Sequence, residues 1–176
     1  GDSGVVVGGN RDLLVHFCRY CNALYGEDIA GVISRGRGIT VHRADCSKLL
    51  GSDSQRRIGV SWDTSSPPHE RSVPVDVECE DAPGMLVAMS KAIGKAGVNI
   101  GGVVLKKLPE GSGLATFEVL VQTREQMDRV MCQLKLVSGV LKVSRGSSLR
   151  KRVKRLIHRS SSPGHGTNLD NIISDE

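Results

Sequence analysis

The sequence predicts an α+β protein with two small domains and a basic tail. Three observations lead to this prediction: short apolar runs with glycine-rich turns dominate residues 1–66, strand and helix patterns alternate over residues 67–146, and cations with small polar residues fill residues 147–176. The 176 residues are 39% hydrophobic and 24% charged, which is ordinary for a globular chain, and no stretch reaches the ~20 apolar residues of a membrane span.

The first 66 residues are predicted to form a β-rich domain. Their apolar runs are short, and a glycine-rich turn, SRGRG, joins two of them. Asp45 stands where it can cap a short helix over CSKLL. Serines, prolines and charges in SWDTSSPPHERS then interrupt the pattern, which puts a domain boundary at about residue 67. The predicted strands are the runs at 5–7, 13–17, 29–33, 38–42 and 57–62.

The second domain, residues 67–146, is predicted to open on a half-buried strand. Apolar and polar residues alternate in VPVDVECE, so one face of this strand is expected to be buried and the other wet. The expected buried face carries Val73, Val75, Val77 and Cys79, and the expected wet face carries Pro74, Asp76, Glu78 and Glu80.

Two amphipathic helices and three further strands complete this domain. The first helix ends at Gly97, and the second follows the strands GGVVLKK and LATFEVLVQ, which the turn PEGSG joins. A last strand, VLKVS, gives the order βαββαβ of the ferredoxin-like fold, an antiparallel four-stranded sheet with two helices on one face. The apolar stripes are Leu86, Met89, Ile93 and Ala96 in the first helix, and Met127, Val130, Met131, Leu134 and Val137 in the second.

Most of the net charge of +5 lies at the end of the chain. Residues 145–176 hold seven of the 24 Lys and Arg residues and three of the 19 acidic residues, which leaves 17 cations against 16 anions elsewhere. Any nucleic-acid-binding surface outside the tail must therefore come from a local cluster of cations, because the net charge there is close to zero. Residues 147–176 are predicted to be a short basic helix followed by disorder. On its own, this tail is also a candidate for non-specific adhesion to nucleic acid or to an anionic membrane.

Four residues of the first domain have the spacing of a metal site. Cys18 and Cys21 form a CxxC pair, and His42 and Cys46 follow as a second pair. Three thiolates and an imidazole can hold tetrahedral Zn²⁺, and a metal would stabilise a domain whose core is this small. Buried structural thiols explain the same cysteines without a metal, and both interpretations stay open.

Three arginines of the first domain are candidates for RNA binding. Arg35 and Arg37 lie on the predicted turn, where glycine lets the backbone approach a phosphate and each guanidinium can contact it twice. Arg43 lies at the far end of the next strand. A solvated turn that needs glycine for its backbone conformation explains the same pattern. The five aromatic residues are not interleaved with these cations and predict no base-stacking surface.

The second domain has one candidate ligand site. The loop EDAPG leads into its first helix at Gly84, where backbone N–H groups could hold a carboxylate, and Asn99 follows the other end of that helix. A plain loop and a plain turn are the alternative. The sequence contains no nucleophile elbow, P-loop, HExxH motif or motif of paired catalytic carboxylates, so no catalysis is expected within these residues.

The stretch YCNALYGEDIAGVISRGRGITVHRADC resembles the signature of the regulatory C-terminal region of the RelA/SpoT family, which makes and hydrolyses the alarmone (p)ppGpp. The βαββαβ unit resembles the ACT domain that ends those proteins, and the resemblance covers about residues 4–146. The chain departs from the family pattern at Tyr20, where the family has a cysteine, and at Ala23, where it has a proline. The residues that follow the pattern are Cys21, Gly26, Asp28, Gly36, Arg37, Gly38, His42, Arg43, Asp45 and Cys46.

The resemblance implies a role in the stringent response. The first domain, called a zinc-finger or ribosome-intersubunit domain in that family, would contact the ribosome in the context of rRNA and tRNA. The ACT domain would bind the ribosome, form a homodimer or sense branched-chain amino acids. The family's GTP diphosphokinase and (p)ppGpp hydrolase domains have no counterpart in these residues, so a non-enzymatic regulatory module is expected. Phosphate docking by the three arginines is the preferred mechanism, and an amino-acid-sensing ACT dimer is the alternative.

The cysteines indicate a reducing compartment. There are five, an odd number, and they lack the spacing of a disulfide scaffold. The first residues lack the basic and apolar regions of a signal peptide. A cytoplasmic protein with reduced thiols is therefore expected.

Overall fold

The computed structural model describes residues 3–146, so the helix and disorder predicted for residues 147–176 lie outside the described residues. Within residues 3–146, no helix is long and apolar enough to cross a bilayer. The described chain forms two α+β units that are joined by residues 63–70.

Six short strands and one helical turn build the N-terminal domain. Four strands form a sheet in the order β2-β4-β3-β5, in which β3 and β4 are an antiparallel hairpin and β2 joins β4 in parallel. Strands β1 and β6 pair separately as an antiparallel ribbon. The elements are β1 Val5–Val7, β2 Val15–Phe17, β3 Ile29–Ser34, β4 Gly38–Arg43, α1 Ser47–Leu50, β5 Arg57–Ile58 and β6 Val60–Trp62, with a 3-10 turn at Ser54–Arg56. The predicted β-rich domain is confirmed.

Two local predictions for this domain are wrong. Helix α1 follows Cys46, whose backbone is extended and whose side chain makes no capping hydrogen bond. Asp45 does not cap the helix, because its carboxylate accepts a hydrogen bond from Nη2 of Arg43 at 3.0 Å. The strand predicted over 57–62 is broken at Gly59, since β5 pairs with β3 whereas β6 pairs with β1.

The C-terminal domain has the predicted βαββαβ order. Its antiparallel sheet runs β10-β7-β9-β8, the arrangement of the ferredoxin-like fold. Thr123 caps the second helix by accepting a hydrogen bond from the N–H of Gln126. The elements are β7 Arg71–Cys79, α2 Met85–Lys95, β8 Asn99–Lys107, β9 Gly113–Val121, α3 Arg124–Lys135 and β10 Val140–Arg145.

The core of this domain lies between the sheet and the two helices. Phe117 at the centre of β9 is fully buried, as are the stripe residues Met89 and Ile93 of α2. The alternation predicted for β7 is only half right, because Pro74 and Asp76 are buried as well. Strand β7 lies inside the sheet, and the carboxylate of Asp76 accepts a hydrogen bond from the hydroxyl of Thr116 at 2.7 Å, which offsets the cost of burying it.

A segment of the N-terminal domain, residues 21–27, packs against the C-terminal domain. Leu24 has no exposed surface and belongs to the same core cluster as Phe117. The N–H of Arg124, at the start of α3, donates to the carbonyl of Tyr25 at 2.9 Å. The two domains are therefore joined by buried contacts as well as by the chain.

Candidate metal centre and arginine turn

The four predicted metal ligands meet at one point. Cys18 and Cys21 lie on the turn that follows β2, His42 lies near the end of β4, and Cys46 immediately precedes α1. The N–H of Cys18 donates to the carbonyl of Val41 at 2.8 Å, which ties the turn to β4. Parallel pairing of β2 with β4 thus brings together side chains that lie more than twenty residues apart in the sequence.

The cluster has the dimensions and chemistry of a closed metal site. Its four ligand atoms all lie within 4.8 Å of one another, and all four residues are buried. A tetrahedral ion with bonds of about 2.3 Å to sulfur needs ligand atoms roughly 3.8 Å apart, so a small contraction suffices. In the described part of the chain, Nδ1 of His42 is buried without a hydrogen-bond partner, and a metal ion is one group that can satisfy it. These residues therefore form a possible metal site.

Burial determines the protonation of His42 and Cys21 in this cluster. Burial, and then the charge of Lys48, lower the pKa of His42, which keeps the imidazole neutral and able to ligate. Burial raises the pKa of Cys21 to about 12, and the neighbouring Cys18 and Cys46 thiols add to this effect against the hydrogen bond from the Arg43 N–H. An incoming metal must displace the thiol proton. That Arg43 N–H reaches Sγ of Cys21 at 3.3 Å and is already placed to stabilise a bound thiolate.

One arginine from the C-terminal domain supports the cysteine turn. The guanidinium of Arg145, at the end of β10, donates to the carbonyls of Cys21 and Asn22 and pairs with the carboxylate of Glu27. The other oxygen of Glu27 accepts the N–H of Leu24 at 2.8 Å. The side chains of Arg145 and Glu27 are only 15% and 9% exposed. One buried ion pair thus links the possible metal site to the C-terminal sheet.

Neither Arg145 nor Glu27 carries a local sequence signal of function. Arg145 directly follows the predicted strand VLKVS, and Glu27 lies beside Asp28 in a predicted loop. The two residues are 118 positions apart, and no local periodicity relates them.

The predicted RNA-binding arginines divide into two groups. Arg35 and Arg37 are exposed on the tight turn between β3 and β4, which the N–H of Arg37 closes on the carbonyl of Ser34. Gly38 has φ of 77°, and a Cβ there would lie 2.3 Å from the carbonyl oxygen of Leu14, so only glycine fits. Both arginine side chains of the turn are therefore exposed to solvent.

Arg43 lies apart from that turn. It ends β4, and its guanidinium pairs with Asp45 at 3.0 Å and approaches Glu27 at 3.9 Å. Its side chain is 28% exposed. Arg43 is therefore engaged with carboxylates beside the metal cluster.

The candidate ligand residues Gly84 and Asn99 lie apart from each other, at opposite ends of α2. Gly84 precedes α2 with φ of 82° and lines a shallow cleft of about 260 Å³ together with Met85, Met89 and Leu105. Asn99 begins β8 beyond the other end of α2 and does not line this cleft. Within one chain the two residues do not form a single site.

The fold and the cluster define a class of two-domain proteins, a β-rich unit with a metal-ligand set followed by a ferredoxin-like unit. Residues 5–63 match the family model of the RelA/SpoT RIS domain, and residues 69–145 match that of the ACT domain. Together these two models cover most of the chain. The chain belongs to the RelA/SpoT family, with its RIS and ACT domains in succession.

Two curated relatives illustrate this relationship. Over 81% of its own length, this chain is 39% identical to a GTP pyrophosphokinase of Myxococcus xanthus. Over 82% of its own length, it is 33% identical to a GTP pyrophosphokinase of Escherichia coli K12. It spans only about a fifth of each relative, 19% and 20%. Among solved structures, the chain is similar to the ACT domain from the GTP pyrophosphokinase of Chlorobium tepidum, with 25% sequence identity and a TM-score of 0.39. The match covers 44% of this chain and 99% of the Chlorobium tepidum domain.

Proposed function

We propose that this chain is the regulatory module of a (p)ppGpp-metabolising protein, and that it docks on ribosomal RNA through the turn that carries Arg35 and Arg37. The observation that carries the proposal is the exposure of two arginines on a turn of the RIS domain that requires glycine. In a complete protein, docking would control synthetase and hydrolase domains that are not among these residues.

The chemistry of the turn supports phosphate binding. A guanidinium makes paired hydrogen bonds to phosphate oxygens, which a hydrated lysine or serine side chain cannot match. The two arginines have no ion-pair partner within the described residues, so they need not break one to bind RNA. Arg43 would have to give up its carboxylates, so it is the weaker phosphate contact of the three predicted arginines.

The double variant Arg35→Ala/Arg37→Ala is expected to lose most of its co-sedimentation with ribosomes. Removing two phosphate contacts also reduces the slope of log affinity against log salt concentration by roughly 1.4 to 1.8. The matched control is Arg124→Ala/Arg129→Ala, which removes the same charge from the exposed face of α3. Equal pelleting of both variants would contradict docking by the turn.

A chain lacking residues 147–176 separates this proposal from non-specific adhesion by the tail. Docking by the turn predicts that the truncated chain still pellets with ribosomes and that its binding still depends on Arg35 and Arg37. Complete loss of binding on truncation would assign the affinity to the tail.

We also propose that the metal cluster holds Zn²⁺ in a structural role. Three sulfur atoms and one nitrogen are a ligand set that zinc prefers, and four protein ligands leave no open position for substrate. Cys18, Cys21, His42 and Cys46 would hold the ion, whose contribution is to stabilise the RIS fold.

A second candidate function is amino-acid sensing by a homodimer of the ACT domain. The cleft beside Gly84 favours it, because methionine and leucine side chains line a space that suits a small apolar side chain. Isothermal titration with valine, isoleucine and leucine is expected to give saturable heat if this function operates, and absence of heat at millimolar ligand would exclude it. Asn99 would then have to come from the second copy.

A further inference from the structure

A second cleft lies at the junction between the RIS and ACT domains. It encloses about 260 Å³, and its walls come from both domains and from the linker at residues 67–70. Three of the five aromatic side chains of the chain line it, namely Phe17, Tyr25 and Trp62. The sequence predicted no aromatic surface, because these three rings are distant along the chain and only the tertiary fold gathers them.

The three rings form one ordered cluster. The rings of Phe17 and Trp62 stack with centroids 6.0 Å apart, and the ring of Tyr25 is tilted against Trp62 at 5.7 Å. Nε1 of Trp62 donates a hydrogen bond to the carbonyl of Glu27 at 2.8 Å, which fixes the orientation of the indole. All three residues keep part of their surface exposed. The cleft therefore has a rigid aromatic wall that water still reaches.

A cation lines the same cleft. The guanidinium carbon of Arg71 lies 3.1 Å from the centroid of the Phe17 ring, and Nη1 donates to the carbonyl of Ala23 at 3.1 Å. None of the ion pairs among the described residues includes Arg71. Burial lowers the pKa of Arg71 to about 10, so the side chain still carries its charge at neutral pH. A half-buried cation without a carboxylate partner attracts an anion.

The acidic residues at the cleft do not neutralise Arg71. Asp63 is engaged elsewhere, because its carboxylate accepts hydrogen bonds from the N–H and hydroxyl of Ser65 and pairs with Arg11 at 3.4 Å. Glu70 is exposed, so water screens its charge. Gln122 at the rim offers an amide that can both donate and accept hydrogen bonds.

We propose that this junction cleft binds a single nucleotide, with its base against the aromatic wall and its phosphate on Arg71. The volume lies just below the roughly 300–1,000 Å³ of typical small-molecule sites, which suits one base and one phosphate rather than a larger ligand. Aromatic rings and guanidinium planes are the groups that hold unstacked bases. The nucleotide comes either from an unpaired position in RNA or from a free mononucleotide. If the nucleotide belongs to RNA, the cleft adds to the proposed docking function, and this part of the proposal rests on that function. Binding of a free mononucleotide does not depend on the docking function.

Trp62 provides a direct assay, since it is the only tryptophan in the chain. Its fluorescence is titrated with the four ribonucleoside 5′-monophosphates, adenosine, ribose 5-phosphate and a short unstructured oligouridylate, with N-acetyltryptophanamide as the inner-filter control. Saturable quenching by a mononucleotide or the oligonucleotide, with weaker effects of adenosine and ribose 5-phosphate, is expected. Comparable quenching by mononucleotide and oligonucleotide per residue indicates a free nucleotide, and quenching by the oligonucleotide alone indicates RNA.

Two variants with matched controls test the assignment of residues. Arg71→Gln is expected to raise the dissociation constant about tenfold, because it removes a charge-assisted contact to phosphate. Its control, Arg56→Gln, removes an exposed arginine outside the cleft. Tyr25→Leu is expected to weaken binding by roughly fivefold or more through lost stacking. Its control is Tyr20→Leu, which alters the other tyrosine, exposed and outside the cleft.

The outcomes separate this proposal from the docking function. Absence of quenching by every nucleotide and by the oligonucleotide overturns the cleft site, even where ribosome pelleting still depends on Arg35 and Arg37. Equal quenching by ribose 5-phosphate and mononucleotides also overturns it, since the base would then contribute nothing. Quenching that survives in Arg35→Ala/Arg37→Ala while that variant no longer pellets supports a nucleotide site independent of the docking turn. If Arg71→Gln fails to fold, the titrations of the unaltered chain and of Tyr25→Leu still decide whether the cleft binds a nucleotide.

Discussion

Replacing Arg145 by methionine is expected to lower the free energy of unfolding by about 3–5 kcal/mol, the usual cost of removing one partner from a buried ion pair. Methionine keeps much of the apolar stem but leaves the Glu27 carboxylate, which is 9% exposed, with only the more distant guanidinium of Arg43 at 3.9 Å. The carbonyls of Cys21 and Asn22 lose their donor at the same time. Urea denaturation followed by circular dichroism measures the effect.

Two further variants make the Arg145 experiment specific. Lys142→Met alters an exposed cation on the same strand and is expected to change stability by less than about 0.5 kcal/mol. The double variant Arg145→Met/Glu27→Gln removes both charges, so it is expected to lose less stability than the two single changes added together. A loss below about 1 kcal/mol for Arg145→Met would contradict a stabilising role of this pair.

With zinc in the cluster as proposed, a chelator is expected to unfold the RIS domain and to leave the ACT domain folded. The buried core of the RIS domain consists of two small clusters, one of which is made of the three cysteine ligands and Leu49. Structural zinc contributes about 10–16 kcal/mol to the folding of small metal domains, which is as large as the whole stability of a typical domain, roughly 5–15 kcal/mol. The ACT domain has its own, larger core. Far-UV circular dichroism together with metal analysis measures both effects.

Cysteine variants assign this effect to the cluster. Cys21→Ser is expected to purify without stoichiometric zinc and with the RIS domain unfolded. Cys132→Ser is the matched control, because Cys132 is an exposed thiol outside the cluster and its loss should leave zinc content and unfolding unchanged. A chelated protein with the same unfolding midpoint as the untreated one would show that the four residues are buried thiols and imidazole with no structural metal.

The metal and Arg145 predictions are linked, because Arg145 holds the backbone of the turn that carries Cys18 and Cys21. Groups that orient metal ligands typically change metal affinity by 10- to 100-fold when they are lost. We therefore expect Arg145→Met also to release zinc to a competing chelator faster than Lys142→Met does.

The sequence by itself determined the elements of this fold and the composition of the metal cluster. Alternation in VPVDVECE and the helical stripes around Met89 and Met127 predicted the ACT fold, since spacings of two and of three to four residues reflect a buried face directly. Two short pairs, Cys18 with Cys21 and His42 with Cys46, predicted the cluster because each pair is local.

Only the tertiary structure decided which distant groups meet. It buried Asp76 against Thr116, joined Arg145 to Glu27, and gathered Phe17, Tyr25 and Trp62 around one cleft. It also turned Asp45 toward Arg43 instead of the helix that it was predicted to cap. The Arg145–Glu27 pair and the aromatic cleft depend on how the two domains and the linker pack, and the Asp76–Thr116 pair depends on the register of β7 and β9 within one sheet. Such contacts leave no periodic trace in the sequence, because the partners are separated by unrelated residues. Local sequence patterns therefore predicted the two domains, and the packing of one domain against the other created the cleft at their junction.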